Sequence, residues 1–205
     1  MSSSSKPEWL RAKAPSGSTC ARLREMVRQY SLHTVCEEAH CPNVGECWGD
    51  GTATFMVMGE LCTRACRFCN VKSGKPNSVL DAEEPANVAR AVKDLGLKYV
   101  VLTSVDRDDL PDGGASHFAK TITSVRTLAH GACIEALIPD FGGRLPELQT
   151  VVDAGPDVIG HNLETTGPLT PKVRDPRASY HQSLKVLERV KRLNRRVFTK
   201  SSLML

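Results

Sequence analysis

From residue 53 onward the chain alternates apolar runs with amphipathic stretches, and that alternation limits the possible folds more than any other feature. Thr54-Phe55-Met56-Val57-Met58 has the length and composition of a buried strand. Asp81, with Glu84 three residues on, predicts a capped helix start. That helix carries Val88, Ala91, Val92 and Leu95 inward and stops at Gly96. Strands are expected at 99–103, 133–138, 157–163 and 197–205, with helices at 115–129, 145–154 and 180–193 between them. The last helix places Leu184, Leu187, Val190 and Leu193 inward. Crossovers this long join parallel strands. The expectation is therefore a parallel α/β structure, as a barrel or an open doubly wound sheet, and periodicity does not choose between them. The final run Leu203-Met204-Leu205 calls for a covering helix that does not follow, the pattern of a fragment.

Residues 1–52 lack the alternation and form an expected extension ahead of the α/β unit at 53–205. Pro7, Pro15 and Gly17 interrupt its start, and a helix is expected over 19–30 with Leu23, Met26, Val27 and Tyr30 on one face. The stretch from Cys36 to Cys47, containing Pro42 and Gly45, is expected to be loop. Trp9 and Trp48 read as packing anchors. The composition, 40% hydrophobic and 24% charged, is that of a soluble globular protein. A net charge of +4 is too mild to indicate nucleic acid. No apolar run has the length of a membrane span, and residues 1–6 are a serine run without a secretory apolar segment.

Six of the eight cysteines fall between positions 36 and 69. Without an export signal, and with enough chain to build a core, such clustering points to metal ligands in a cytoplasmic protein rather than to disulfides. Cys62-Thr-Arg-Ala-Cys66-Arg-Phe-Cys69 is a C-x3-C-x2-C trio just after the first strand, at the end of a parallel sheet where active sites gather. Three thiolates can hold three corners of a four-iron cluster and leave one iron open. Zinc sites prefer four closed ligands and paired spacings. The second trio, Cys36-x4-Cys41-x5-Cys47, is compatible with a cluster or, with His40, with zinc.

The first trio, with Phe68 before its last cysteine, resembles the radical S-adenosylmethionine (SAM) signature. Both trios in this order resemble the lipoyl synthase family. The likeness extends through Thr34-Val-Cys36-Glu-Glu-Ala, Cys41-Pro-Asn-Val-Gly-Glu-Cys47, Thr103-Ser-Val-Asp106-Arg-Asp108-Asp109, Gly160-His-Asn162-Leu-Glu164-Thr and Lys172-Val-Arg174. It implies a partial (β/α)6 barrel whose last strand and terminal helices are missing. It also implies two [4Fe–4S] clusters. One, on Cys62, Cys66 and Cys69, binds SAM and makes a 5′-deoxyadenosyl radical; the other, an auxiliary cluster on Cys36, Cys41 and Cys47, donates sulfur. The implied reaction places two sulfurs at C6 and C8 of an octanoyl chain on a lipoyl carrier domain or a glycine-cleavage H protein, with ferredoxin or flavodoxin as electron donor. The family completes the auxiliary cluster with a serine in an Arg-Ser-Ser-Tyr stretch that this sequence does not reach, so the fragment's own activity is in doubt. A biotin-synthase-like enzyme and a non-catalytic zinc or iron–sulfur module are the rival readings.

Around SAM the expected contacts are Phe68, Ser104, Asp106, Asn162, Glu164, Arg174 and Lys200. Asn162 and Glu164, two apart, should share one side of the fourth strand, where they could meet SAM's ribose and amino group or pair within the protein. Arg174 could take a carboxylate or stay solvated. Lys200, on a strand expected to be buried, needs an anion or a lumen. Asp108, Asp109 and Asp112 read as a turn leading into a helix. The basic run from Lys185 to Arg196 reads as a solvated helix face, with steering of an acidic carrier as the alternative.

Overall fold

The structure is a computed structural model that describes residues 17–77 and 79–204. Trp9 and the serine run lie outside those residues. Helix α1 (Ser18–Gln29), strand β1 (His33–Thr34) and helices α2 (Val35–Glu38) and α3 (Val44–Gly49) precede strand β2 (Thr52–Val57). Then follow β3 (Leu61–Cys62), β4 (Lys72–Ser73), α4 (Glu84–Asp94), β5 (Tyr99–Ser104), α5 (Ala115–Leu128), β6 (Cys133–Leu137) and α6 (Leu145–Asp153). The chain continues through β7 (Val158–Gly160), α7 (Thr170–Val173), α8 (Tyr180–Leu193) and β8 (Phe198–Lys200).

The main sheet runs β1-β2-β5-β6-β7-β8, with β1 antiparallel to β2 and every other pair parallel. The parallel strands follow one another in chain order. A doubly wound sheet reverses its order at a switch point; this one does not, and consecutive winding is the order of a barrel wall. Val100, Leu102, Ile134, Ala136 and Ile159 are buried under α4, α5, α6 and α8, among Val88, Phe118, Ile122, Leu148 and Val186. Burying each of the larger of these side chains stabilises the fold by roughly 1.5–3 kcal/mol. The alternate residues Tyr99, Val101 and Thr103 are only half-buried and face the concave side. No helix among the described residues is long and apolar enough to cross a membrane.

Several expectations need correction. The stretch from Cys36 to Cys47 is loop only at residues 39–43, which hold Cys41; α2 and α3 carry Cys36 and Cys47. Thr34 caps α2, its hydroxyl accepting from Glu37 N at 3.3 Å and lying 3.3 Å from the Glu37 carboxylate. Helix α4 starts at Glu84 rather than just after Asp81; Asp81 instead accepts from Glu83 N at 2.9 Å in the preceding turn. On α8 the buried face is Ser183, Val186 and Val190, and Leu184 is exposed, because the Ser183 hydroxyl faces inward to bonds described below. The last strand is shorter than expected and exposed along its length, as an edge strand is, and Leu205 lies outside the described residues. Lys200 is correspondingly not buried; its ammonium reaches the Glu135 carboxylate at 2.9 and 3.0 Å while its side chain stays 55% exposed.

Candidate active site

The loop bearing Cys62, Cys66 and Cys69 leaves the C-terminal end of β2 through a left-handed turn at Met58 (φ 70°) and Gly59 (φ 89°). Met58 tolerates that conformation because its peptide is gripped from both sides. Its N–H donates to the Glu84 carboxylate at 2.9 and 3.1 Å, and its carbonyl accepts from Arg107 at 3.3 Å. Gly114 lies against Met58, where any Cβ would stand 2.1 Å from the Met58 sulfur. His117 in turn holds Glu84 at 2.6 Å. The short parallel pair β3–β4 closes the loop's base.

Arg64, only 5% exposed, sits in the middle of the loop. A guanidinium so buried needs counter-charges. Asp108 accepts from its Nε and Nη2, both at 2.9 Å, and Asp140 from its Nη1 and Nη2 at 2.9 and 2.7 Å. Arg64 holds Asp108 below the usual carboxylate range. Burial alone would push Asp140 up, but its bonds to Arg64 outweigh that and it too is held down. Asp106, 3.3 Å from Arg64, goes the other way: burial pushes it up to about 6, with Asp140 and Asp108 adding to the rise against the pull of Arg64.

Backbone donors point at two sulfurs. Cys62 Sγ accepts from Arg64 N at 3.4 Å and Asp106 N at 3.3 Å, and Cys66 Sγ from Asp175 N at 3.3 Å. Burial nonetheless pushes Cys62 up to about 11 and raises Cys66. Among the described residues no three His, Cys, Asp or Glu side chains converge closely enough to hold a single metal ion. A four-iron cube presents its ligated corners farther apart than one zinc ion does. In the second trio, burial and then the neighbouring Cys36 and Cys41 raise Cys47.

The loop faces a cavity of about 320 Å³ at the C-terminal ends of β2, β5, β6 and β7. Cys62, Cys66 and Cys69 line it together with Phe68, Ser104, Asp106, Asn162, Glu164 and Arg174, all six of them expected from the sequence. Lys200, the seventh, does not line it and is paired with Glu135. Asn162 and Glu164 lie beyond β7, which ends at Gly160, and Glu164 has φ 66° rather than strand geometry. Two buried polar atoms of the lining, Ser104 Oγ and Arg174 Nε, have no hydrogen-bond partner among the described residues. Burying such atoms unpaired is costly, so they fit a polar ligand.

Arg174 is aimed by a relay that sequence reasoning missed. Its Nη1 donates to Ser183 Oγ at 2.9 Å, Ser183 lies 2.9 Å from His161 Nε2, and His161 Nδ1 donates to Ile138 O at 2.9 Å. Burial lowers His161, consistent with a neutral ring in this chain of bonds. Arg64, Asp140, Asp175 and Arg177 were also missed. Asp140 and His161 had a signal in position, standing within three residues of a parallel strand's end, whereas Asp175 and Arg177 follow α7 and had none. Asp112 does open α5, accepting from Gly114 N and Ser116 N at 2.9 Å. Asp108 and Asp109 instead bind Arg64 and Arg107.

The fold and the cysteine loop are those of the radical SAM superfamily, whose model matches residues 56–205. A model of the N-terminal domain of lipoyl synthase matches residues 2–41. The lipoyl synthase of Thermus thermophilus is 56% identical over 98% of this chain and 62% of its own length, and that of Pyrobaculum arsenaticum is 56% identical over 97% and 67%. The chain belongs to the lipoyl synthase family. It spans about six-tenths of the length of curated relatives such as the lipoyl synthases of Thermus thermophilus and Halorhodospira halophila. Among solved structures, the [FeFe]-hydrogenase maturase HydG from Carboxydothermus hydrogenoformans superposes with TM-score 0.57 at 16% identity, covering 70% of this chain and 34% of that one. Methylornithine synthase superposes with TM-score 0.53 at 17% identity, covering 89% and 53%. At such identities these two share the fold alone.

Proposed function

We propose that this chain carries the radical-generating site of an enzyme that inserts sulfur at C6 and C8 of a protein-bound octanoyl group, forming the lipoyl cofactor. The observation that carries this reading is one cavity in which three loop cysteines face two unpartnered polar atoms, Ser104 Oγ and Arg174 Nε. In this reading Cys62, Cys66 and Cys69 hold a [4Fe–4S] cluster by three corners, and SAM occupies the rest of the cavity. Bound there, the pair supplies one-electron cleavage of a sulfonium and so removal of hydrogen from an unactivated carbon.

The chain's own residues bind and orient. Arg174, tethered to Ser183, has Nε left to take a carboxylate. Ser104 Oγ and the amide of Asn162 suit ribose or amino-acid polar groups, and Asp106 and Glu164 suit an ammonium or a hydroxyl. Phe68, 39% exposed at the cavity's edge, screens the loop from water. Cys36, Cys41 and Cys47 would hold the auxiliary cluster that gives up its sulfur. The acceptor would be an octanoylated lipoyl carrier domain or glycine-cleavage H protein, with ferredoxin or flavodoxin as reductant, in the cytoplasm where thiols stay reduced.

Anaerobic reconstitution of the full-length parent protein with iron and sulfide, followed by metal and sulfide analysis and assay of SAM cleavage with an octanoyl peptide, tests the reading. Two four-iron clusters and 5′-deoxyadenosine are expected. Stoichiometric zinc without sulfide, or loaded protein that never cleaves SAM, would overturn it.

A further inference from the structure

Five side chains of alternating charge form a belt around the cysteine loop: Asp140, Arg64, Asp108, Arg177 and Asp175. Consecutive members are in contact, at 2.7 Å (Asp140–Arg64), 2.9 Å (Arg64–Asp108), 3.2 Å (Asp108–Arg177) and 2.8 Å (Arg177–Asp175). They come from four places in the chain: the loop itself, the ends of β5 and β6, and the segment after α7. Both ends of the belt are anchored. Asp140 also accepts from Gly142 N at 2.9 Å and from Gln182 at 2.7 Å. Asp175 accepts from Ala65 N at 2.9 Å, inside the loop, while its own N–H donates to Cys66 Sγ at 3.3 Å. Thr63 N donates to Asp106 O at 3.0 Å, and Asp106 N points back to Cys62 Sγ at 3.3 Å. Each sulfur contact therefore comes from a backbone N–H whose residue the belt, or a bond beside it, ties to the loop.

We propose that Arg64 and Arg177 are positioning residues that hold the cysteine loop in its ligand-bearing shape through this belt, and so set the backbone N–H groups of Asp106 and Asp175 against the cluster sulfurs. The loop-shaping part stands on this chain's contacts alone; the part concerning a cluster rests on the function proposed above. Arg64 is bidentate to two carboxylates at once, which only a planar guanidinium can manage. Arg177 is the accessible member, its side chain 48% exposed, and can be altered with less risk to the core. Hydrogen bonds to sulfur favour the more negatively charged, reduced form of a cluster and raise its potential. Releasing the belt should therefore lower it.

The test compares the unaltered chain with Arg177→Met, Arg177→Lys and Arg64→Lys, each checked for folding by circular dichroism. In the apoprotein, amide hydrogen exchange across residues 63–67 should quicken at least tenfold in Arg177→Met and in Arg64→Lys, and less in Arg177→Lys. In the reconstituted protein, Arg177→Met should retain its cluster but titrate at a more negative potential, with a changed electron paramagnetic resonance spectrum on adding SAM. Unchanged exchange in a folded Arg177→Met variant would overturn the loop-shaping role. An unchanged potential and spectrum in loaded Arg177→Met would overturn the part concerning the sulfurs. If Arg64→Lys does not fold, Arg177→Met decides alone. A native chain that takes up no cluster would defeat the functional reading, while the exchange measurement would still decide the belt.

Discussion

The two cysteine trios sit in the same chain, with only fourteen residues between Cys47 and Cys62, yet they are held in different ways. The 62–69 trio is braced from distant sequence, by Asp106, Asp108, Asp140, Asp175 and Arg177, and three backbone N–H groups reach its sulfurs. The 36–47 trio is organised almost wholly by its neighbours. Its structure comes from the Thr34 cap, the bond from Cys41 N to Cys36 O at 3.1 Å, and the burial of Val44 and Trp48 beside Cys20 and Leu23. Among the described residues no donor reaches the sulfurs of Cys36, Cys41 or Cys47, and the link to the first trio is one bond from Asn70 to Glu38 O at 2.7 Å. A globally braced loop keeps its shape through a catalytic cycle. A locally braced one can change ligands without disturbing the sheet, which suits a site whose contents are proposed to be consumed.

The sharpest way to break this contrast is to remove one ligand from each side. Cys66→Ala should abolish SAM cleavage altogether. Cys41→Ala should leave cleavage measurable while eliminating thiolated product; mass spectrometry of an octanoyl peptide and chromatography of 5′-deoxyadenosine separate the two outcomes, and persistent product in Cys41→Ala would remove the sulfur-donor role.

Next in size is Arg64→Met. It leaves the buried Asp140 without its cation and Asp108 with Arg177 alone, and should cost about 3–5 kcal/mol in urea unfolding of the apoprotein. A loss below 1 kcal/mol would mean that the belt carries little stability.

Asp106 offers a smaller, pH-dependent effect. Its folded pKa of about 6 lies above the ordinary carboxylate value, so the folded protein holds the proton more tightly. Stability from this group is full below about pH 4 and is lost as pH rises through 6. Asp106→Asn, which cannot ionise, should therefore be more stable than the native chain at pH 7, by about 2 kcal/mol, and the difference should fade towards pH 4. Asp108 and Asp175, held low chiefly by Arg64 and Arg177, act in the opposite sense. Their contribution is present above pH 4 and is lost as the medium becomes more acidic. Thermal melts at pH 4 and pH 7 check both signs.

The smallest effect belongs to the second trio. Thr34→Ala removes the cap of α2 and should cost about 1 kcal/mol, with no change in amide exchange across 63–67.

The elements legible in the sequence were those whose pattern repeats. β2, β5, β6 and α5 sit within a residue or two of the periodicity that announced them, because each buries a face long enough to show a period. Helices α2 and α3, of four and six residues, are too short to show one, and Pro42 and Gly45 between and within them looked like loop. Lys200 was misread because an apolar run implies burial, whereas the edge position of β8 decides exposure. In the site, the cysteines and the cavity's polar lining were visible as motifs at strand ends. The belt was not, since Arg64 meets Asp108 and Asp140 across 44 and 76 residues, Ala65 meets Asp175 across 110, and only the Asp175–Arg177 pair is local.

Those separations have a consequence for biosynthesis. Ala65 is stitched to Asp175, 110 residues further along, so the thiols leave the ribosome long before their last brace. At about 5–20 residues per second, translation alone imposes a wait of roughly 5–20 seconds between the two. During that interval the loop has cysteines but no fixed geometry. Iron delivered to the nascent chain would meet floppy ligands, so orderly loading belongs after residue 177 has emerged and docked.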